Sequence, residues 1–167
     1  FPEFLERGHG LSVKSAAFFS ALPLGGVILG GLIGGTLVDT IQKITGNRTL
    51  SRSGLACAAL VVTTLLTVSA AYASNHIMIV ALFTLGSAFS GMASPAVWVG
   101  LIDLGGKSAA VVSGTSNMIG CLAGVVITPL VGMLVDAIKV NGGGWELLIL
   151  VHAGFYACAA LVFSMVR

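Results

Sequence analysis

The chain has 167 residues, of which only 8% are charged and 56% are hydrophobic, with a mean hydropathy of +1.04. A soluble domain has roughly a quarter charged residues, so this chain cannot cover a water-facing surface. Its net charge of +2 comes from scattered residues, and its three cysteines lie far apart in apolar segments. The composition therefore predicts an integral membrane protein with no nucleic-acid partner, metal or cofactor.

Five apolar segments are long enough to cross a bilayer. A hydrocarbon core about 30 Å thick needs about 20 helical residues. In chain order, the predicted spans cover residues 15–41, 54–73, 77–104, 108–138 and 145–166. Turn-forming residues such as Asn47, Asn75 and Gly106 separate them. No segment alternates as the strands of a membrane barrel do, so we expect an all-α helix bundle.

The densest group of charges follows the first span. A glycine-rich apolar segment reaches Asp39, and Lys43, Arg48 and Arg52 come soon after it. Short loops rich in Lys and Arg face the cytoplasm, so this loop is predicted to be cytoplasmic.

Glycine distinguishes the spans from one another, because the first, third and fourth are rich in it and the second and fifth are not. Small residues four apart, such as Gly26 with Gly30 or Gly120 with Gly124, let helices approach closely where lipid gives no hydrophobic drive for association. We therefore expect the first, third and fourth spans to be interior, and the second and fifth to face lipid.

A short pattern occurs twice, as GTLVD at 35–39 and GMLVD at 132–136. The two copies end spans that run in opposite directions, as in the inverted repeats of secondary transporters. Five positions can also agree by chance in a chain this rich in Gly, Leu and Val, so both interpretations stay open.

Candidate binding residues lie on the polar faces of the third and fourth spans. Ser94 and Trp98 fall at helical spacing on the third, and Ser113 and Asn117 on the fourth. A mid-span carboxamide is costly without partners, and a mid-span Trp offers a flat face and one N–H donor. This favours a cavity for a small polar solute. The alternative is that these faces only pack against neighbouring helices, with hydroxyls bonded to backbone carbonyls.

Ionisable residues avoid the middle of the spans. Asp39, Asp103 and Asp136 sit near span ends, and His152 is interpreted as a buried hydrogen-bonding residue. Proton relays and counter-charges for anions normally need intramembrane ionisable groups, so we expect these elsewhere in a longer chain. Enzyme motifs fail: a phosphate-binding loop at 106–108 would need glycine where Leu101 stands.

The pattern Gly35-x-Leu37-x-Asp39, followed by Lys43, Gly46, Arg48 and Arg52, resembles the loop between transmembrane helices 8 and 9 of the major facilitator superfamily. ASPAVW at 93–98 and SGTSN at 113–117 resemble its anion:cation symporter branch, which includes hexuronate, galactonate and organic-anion carriers. On this resemblance, residues 1–5 correspond to the end of helix 7 and the spans to helices 8–12. The chain would then be a partial C-terminal six-helix domain of a twelve-helix transporter.

The resemblance implies an alternating-access carrier of a small organic anion, coupled to protons, in a plasma membrane such as a bacterial inner membrane. Its partners would be the anion, protons, lipid and the N-terminal half of the same chain. Ser94, Trp98 and Asn117, with Ser113 nearby, would contact substrate. The loop residues would form a cytoplasmic gate in which Arg48 or Arg52 pairs with Asp39. The alternative is a non-transporting membrane subunit whose glycine-rich helices serve only helix assembly.

Overall fold

The computed structural model describes residues 2–8, 10–141 and 144–165, without the side chains of residues 7, 8 and 141. Phe1, His9, the glycines at 142 and 143, Val166 and Arg167 lie outside the described residues. The described part contains five long helices and no strand, which confirms the all-α prediction. The helices are α1 (Val13–Thr45), α2 (Leu55–Ala71), α3 (His76–Gly105), α4 (Ala109–Asn141) and α5 (Trp145–Met165).

Helix boundaries follow from local capping chemistry. The Ser12 hydroxyl accepts from the Ser15 amide at 3.2 Å where α1 begins, and the Asn75 side chain accepts from the Ile77 amide at 2.9 Å where α3 begins. Gly46 ends α1 in the left-handed region at φ 64°, a conformation that glycine adopts without a steric penalty. The predicted spans therefore fall within a few residues of the observed helices.

Among the described residues, four apolar helical stretches are long enough to cross a membrane, and the third, His76–Val140, contains α3 and all of α4 but its last residue. Its 65 residues would extend roughly 100 Å as one helix, far more than a bilayer core of about 30 Å. The chain instead turns at Gly106, where φ is 47°, and α4 returns beside α3. The protein is thus a multi-pass membrane helix bundle.

Glycines on α1 bring its backbone against that of α3. A β-carbon on Gly26 or Gly34 would lie 2.5 Å from a carbonyl oxygen of α3, closer than real side chains come. The contacts pair Gly26 with Thr84, Gly30 with Ala88, and Gly34 with Met92. Close backbone approach of this kind gives dispersion contacts where lipid gives no hydrophobic drive. The predicted interior placement of the first and third spans therefore holds.

A buried threonine ties α2 to α3. The Thr63 hydroxyl is inaccessible to solvent and lies 2.9 Å from the Ala59 carbonyl oxygen and 3.0 Å from that of Gly86 on α3. Its neighbour Thr67 donates to the Thr63 carbonyl at 2.8 Å. A buried hydroxyl that donates to a backbone carbonyl of the adjacent helix has its hydrogen-bonding requirement met. The same bond fixes how the two helices are aligned along their length.

Among the described residues, two clusters of buried side chains form the core. One lies around the start of α1 and contains Phe4, Leu5, Ala16, Ala70, Ala71, Ile79, Val80 and Ile149. The other lies near Arg52 and contains Val38, Ala56, Ala59, Leu60, Ala93, Ala96 and Ala160. Alanine predominates in the second cluster, so α2, α3 and α5 also pack at short range there.

Within the described chain, the burial of the fourth and second spans differs from the prediction. Among the α4 side chains that the structure describes, only Ile138 is buried, whereas α2 contributes seven buried residues. A β-carbon added to any of the α4 glycines Gly114, Gly120, Gly124 and Gly132 would have no atom within 4 Å. A glycine face permits close approach but does not supply a partner, whereas α2 packs through alanine and threonine.

We expect Gly30→Ala to destabilise the bundle by roughly 1–3 kcal/mol, because the new methyl group would collide with the Ala88 backbone. Gly25→Ala is the matched control, since nothing lies within 4 Å of the added carbon. Thermal unfolding of the full-length protein in detergent measures both changes. Equal unfolding temperatures for the two variants would contradict the close α1–α3 contact.

Candidate functional site

A cavity of about 670 Å³ lies between α3, α4 and α5. Its volume is within the range of about 300–1,000 Å³ that is typical of small-molecule sites. Most of its wall is apolar, and six side chains bring hydrogen-bonding groups to it. They are Ser90, Ser94 and Trp98 on α3, Ser116 and Asn117 on α4, and Tyr156 on α5.

Helical periodicity on α3 places three of these groups in line. Ser90, Ser94 and Trp98 are each four residues apart, so they share one face of the helix. Trp98 is 43% exposed, which leaves much of its ring open for stacking. Ser94 and Trp98 therefore lie together at the cavity, as the sequence predicted, and Ser90 extends their row by one turn.

The opposite wall is formed by α4, which has few buried side chains in the described chain. Asn117 is exposed, and its carboxamide can both donate and accept hydrogen bonds. Ser116 and Gly120 flank it on the cavity wall. Ser113, the fourth predicted site residue, is half-buried and does not line the cavity. It lies one helical turn closer to the α3–α4 turn, and Ser116 contributes the hydroxyl instead.

Tyr156 was not predicted from the sequence, because α5 was expected to face lipid. It is half-buried, and its ring and hydroxyl complete the wall that α5 presents to the cavity. Within the part of the chain that the structure describes, no Asp, Glu, Lys or Arg side chain lines this cavity. The site can therefore form hydrogen bonds and stack, while any fixed counter-charge for an anion has to come from outside it.

The basic loop after α1 contains an ion pair that the sequence did not predict. The Arg52 guanidinium lies 2.5 Å from the Asp103 carboxylate at the end of α3, and the two side chains are 16% and 35% exposed. Asp39, the predicted partner, is exposed and forms no ion pair within the described chain. Because α1 continues six residues beyond Asp39 to Thr45, this carboxylate lies away from the start of α2.

Local hydrogen bonds hold Arg52 in place. It lies in a π-helical turn, Leu50–Gly54, that precedes α2. Within this turn, the buried Ser51 hydroxyl donates to the Gln42 side chain at 3.2 Å, which ties the turn to α1. The Arg52 Nε atom is buried without a hydrogen-bond partner in the described chain.

Of the other predicted gate residues, Arg48 lies beside this pair, and none pairs with another in the described chain. Arg48 is exposed and lines a recess of about 190 Å³ with Arg52 and Asp103. Lys43 is exposed in the last turn of α1, and an added β-carbon on Gly35 would have nothing within 4 Å. Arg52 is thus paired with a residue of α3, whereas the charged side chains near the end of α1 have no ion-pair partner in the described chain.

Comparison with known proteins gives three relatives. The chain is 27% identical over 160 residues to a probable sulfoacetate transporter of Cupriavidus necator and 26% identical over 168 residues to a probable galactarate/D-glucarate transporter of Escherichia coli. It is 27% identical over 169 residues to an uncharacterized transporter of Caenorhabditis elegans, slc-17.2. No protein-family model matches the chain.

These alignments cover 96%, 99% and 98% of this chain but only 36%, 36% and 34% of the respective relatives. The chain therefore spans about a third of the length of the curated relatives it matches. All three relatives are named as transporters rather than enzymes. The resemblance drawn from the motifs is confirmed, and the similarity is consistent with the C-terminal half of a major facilitator superfamily transporter.

Arg52→Ala and Asp103→Ala should each destabilise the protein by about 1 kcal/mol, because each leaves a partly buried charge without its partner. The exchange of both charges, Arg52→Asp with Asp103→Arg, should recover most of this loss. Asp39→Asn is the control and should shift stability by less than about 0.5 kcal/mol. Thermal unfolding at low and high salt tests the pair, and additive losses in the double alanine variant would contradict it.

Proposed function

We propose that this chain forms the C-terminal part of a twelve-helix secondary transporter that moves a small organic anion with protons by alternating access. Its place would be a plasma membrane, such as a bacterial inner membrane. The observation that carries the proposal is the open cavity between α3, α4 and α5, whose wall combines an apolar surface with neutral hydrogen-bonding groups. A site of this kind suits a small hydroxylated or carboxylated solute.

The relatives indicate the substrate class. Two of them are named for sulfoacetate and for galactarate and D-glucarate, which are small organic anions. In this chain, Ser94 and Asn117 would hydrogen-bond the hydroxyl or carboxylate oxygens, and Trp98 would pack on the carbon skeleton. Ser116 takes the role first given to Ser113, because it lines the cavity. The positive counter-charge would come from the N-terminal half.

The Arg52 end of the bundle would serve the conformational change. The Arg52–Asp103 pair joins the α1–α2 loop to α3, so these elements would move as one body. Gly35, Asp39, Lys43 and Arg48 would then meet the N-terminal half on the cytoplasmic side, and Asp39 is the exposed carboxylate available for a cation there. In this proposal, Asp39 pairs with a cation of the N-terminal half instead of with Arg48 or Arg52 of this chain.

Asn117→Ala in the full-length protein should lower uptake of galactarate or sulfoacetate at least about tenfold, since a lost hydrogen bond to a charged group costs roughly 1.5–3 kcal/mol. Met118→Ala is the matched control, because Met118 is 56% exposed on the same helix and does not line the cavity. Protein amount in the membrane is measured alongside uptake. Normal uptake by Asn117→Ala would favour a role in helix assembly alone.

Cys121 provides an independent test because it is exposed and lines the cavity. We expect a maleimide to inhibit uptake in a variant that retains only Cys121, and bound substrate to slow the labelling several-fold. Cys158 is also exposed but does not line the cavity, so a variant that retains only Cys158 is the control. Equal labelling rates with and without substrate would place the substrate elsewhere.

A further inference from the structure

The hydrogen-bonding groups of the cavity between α3, α4 and α5 lie at two depths in the bundle. Trp98 stands seven residues before the end of α3, and Asn117 stands eight residues after the start of α4. Because a turn of three residues, Gly106–Ser108, joins the two helices, these two side chains lie at about the same depth. Ser90 precedes Trp98 by eight residues, which places it roughly 12 Å farther along α3. The cavity therefore has one polar end at Trp98 and Asn117 and another at Ser90.

The half-buried Ser90 hydroxyl has no hydrogen-bond partner among the described residues. Other helical hydroxyls, such as those of Ser69 and Thr84, donate to the backbone carbonyl four residues earlier, at 2.8 and 2.7 Å. For Ser90 that carbonyl belongs to Gly86, and its oxygen already accepts from the Thr63 hydroxyl at 3.0 Å. The same oxygen accepts the helical amide of Ser90 itself. Since a carbonyl oxygen has two lone pairs, the Ser90 hydroxyl stays available to a solute.

The distance between the two polar ends discriminates between solutes of different length. With carbon–carbon bonds of about 1.5 Å, an extended six-carbon diacid spans roughly 8 Å between its outer oxygens, and a two- or three-carbon acid spans roughly 4 Å. A hydrogen bond of about 2.8 Å at each end extends this reach. Only the six-carbon acid can then bridge the roughly 12 Å from Trp98 to Ser90. A short acid held at Trp98 and Asn117 reaches Ser94, which lies between the two ends.

We propose that Ser90 is a specificity-determining residue that hydrogen-bonds the inner end of the solute, so that the cavity favours six-carbon hydroxylated acids over two- or three-carbon acids. This role rests on the proposed transport function and deepens it. A short acid leaves the Ser90 hydroxyl to water, whereas a long acid gains a hydrogen bond there, and specificity is this difference in affinity. One such hydrogen bond changes affinity by about threefold to tenfold.

His152 does not take part in this recognition. It is exposed, so its interpretation as a buried residue is wrong, and its Nδ1 atom lies 3.3 Å from the Leu148 carbonyl oxygen. It lines another cavity, of about 280 Å³, and not the cavity that contains Ser90. Within the described chain, recognition of solute length therefore depends on neutral groups of α3 and α4, and the charges of the acid are left to the N-terminal half.

Binding of two matched diacids to full-length protein tests this role. Galactarate has six carbons and tartronate three, and both have a carboxylate at each end and hydroxyls between. Ser90→Ala should lower affinity for galactarate about threefold to tenfold and for tartronate by less than about twofold. Ser94→Ala should weaken both. Ser87→Ala is the control, because Ser87 is half-buried on the same helix and does not line the cavity.

The outcomes separate this role from the proposed function. An equal loss for both acids in Ser90→Ala, or no loss for either, would overturn the role of Ser90 and leave the transport proposal standing. If neither acid binds to the wild-type protein, the proposed substrate class fails and the role of Ser90 fails with it.

Cysteine labelling tests the position of residue 90 without a loss of affinity as the readout. Ser90→Cys is introduced into full-length protein from which Cys57, Cys121 and Cys158 have been removed. A maleimide should label it, and saturating galactarate should slow the labelling several-fold, whereas saturating tartronate should not. Ser87→Cys, in the same background, should respond to neither acid. Absence of labelling at residue 90, or equal protection by both acids, would contradict the proposal.

Discussion

The close contact of α1 with α3 is the constraint on which the rest of the bundle depends. Three α1 glycines at four-residue spacing let the two backbones meet, and any larger residue there would force them apart. In a membrane, helices gain little from excluding apolar surface, so contact distance determines how strongly they associate. Because α3 is held on this side by α1 and on another by the Thr63 hydroxyl of α2, its position in the bundle is fixed.

The two helices on either side of the cavity differ in their packing within the described chain. Ser94 and Trp98 lie on α3, which contacts both α1 and α2, whereas Asn117 lies on α4, which has almost no buried side chains there. A solute in the cavity would therefore contact one helix that is held on two sides and another that has few buried side chains in the described chain.

The sequence predicted the helices well because their limits are local. Gly46, Asn75 and Gly106 carry capping or turn chemistry that acts within a few residues. Burial of the helices was predicted less well, since glycine spacing shows that a face permits close contact without identifying the partner. For the same reason the sequence favoured Ser113 over Ser116: periodicity defines a face, but the rotation of α4 about its axis depends on its neighbours. Tyr156 and the Arg52–Asp103 pair arise from tertiary contacts alone.

The length of α1 has a consequence for its surroundings. Its 33 residues extend roughly 50 Å, whereas the hydrocarbon layer is about 30 Å thick and a tilt of about 20° adds only about 2 Å. The helix therefore extends beyond the hydrocarbon layer. Lys43, in its last turn, would then lie near the lipid headgroups, whose surface potential attracts basic side chains. The lipid composition of the leaflet would thereby influence the position of this end of α1.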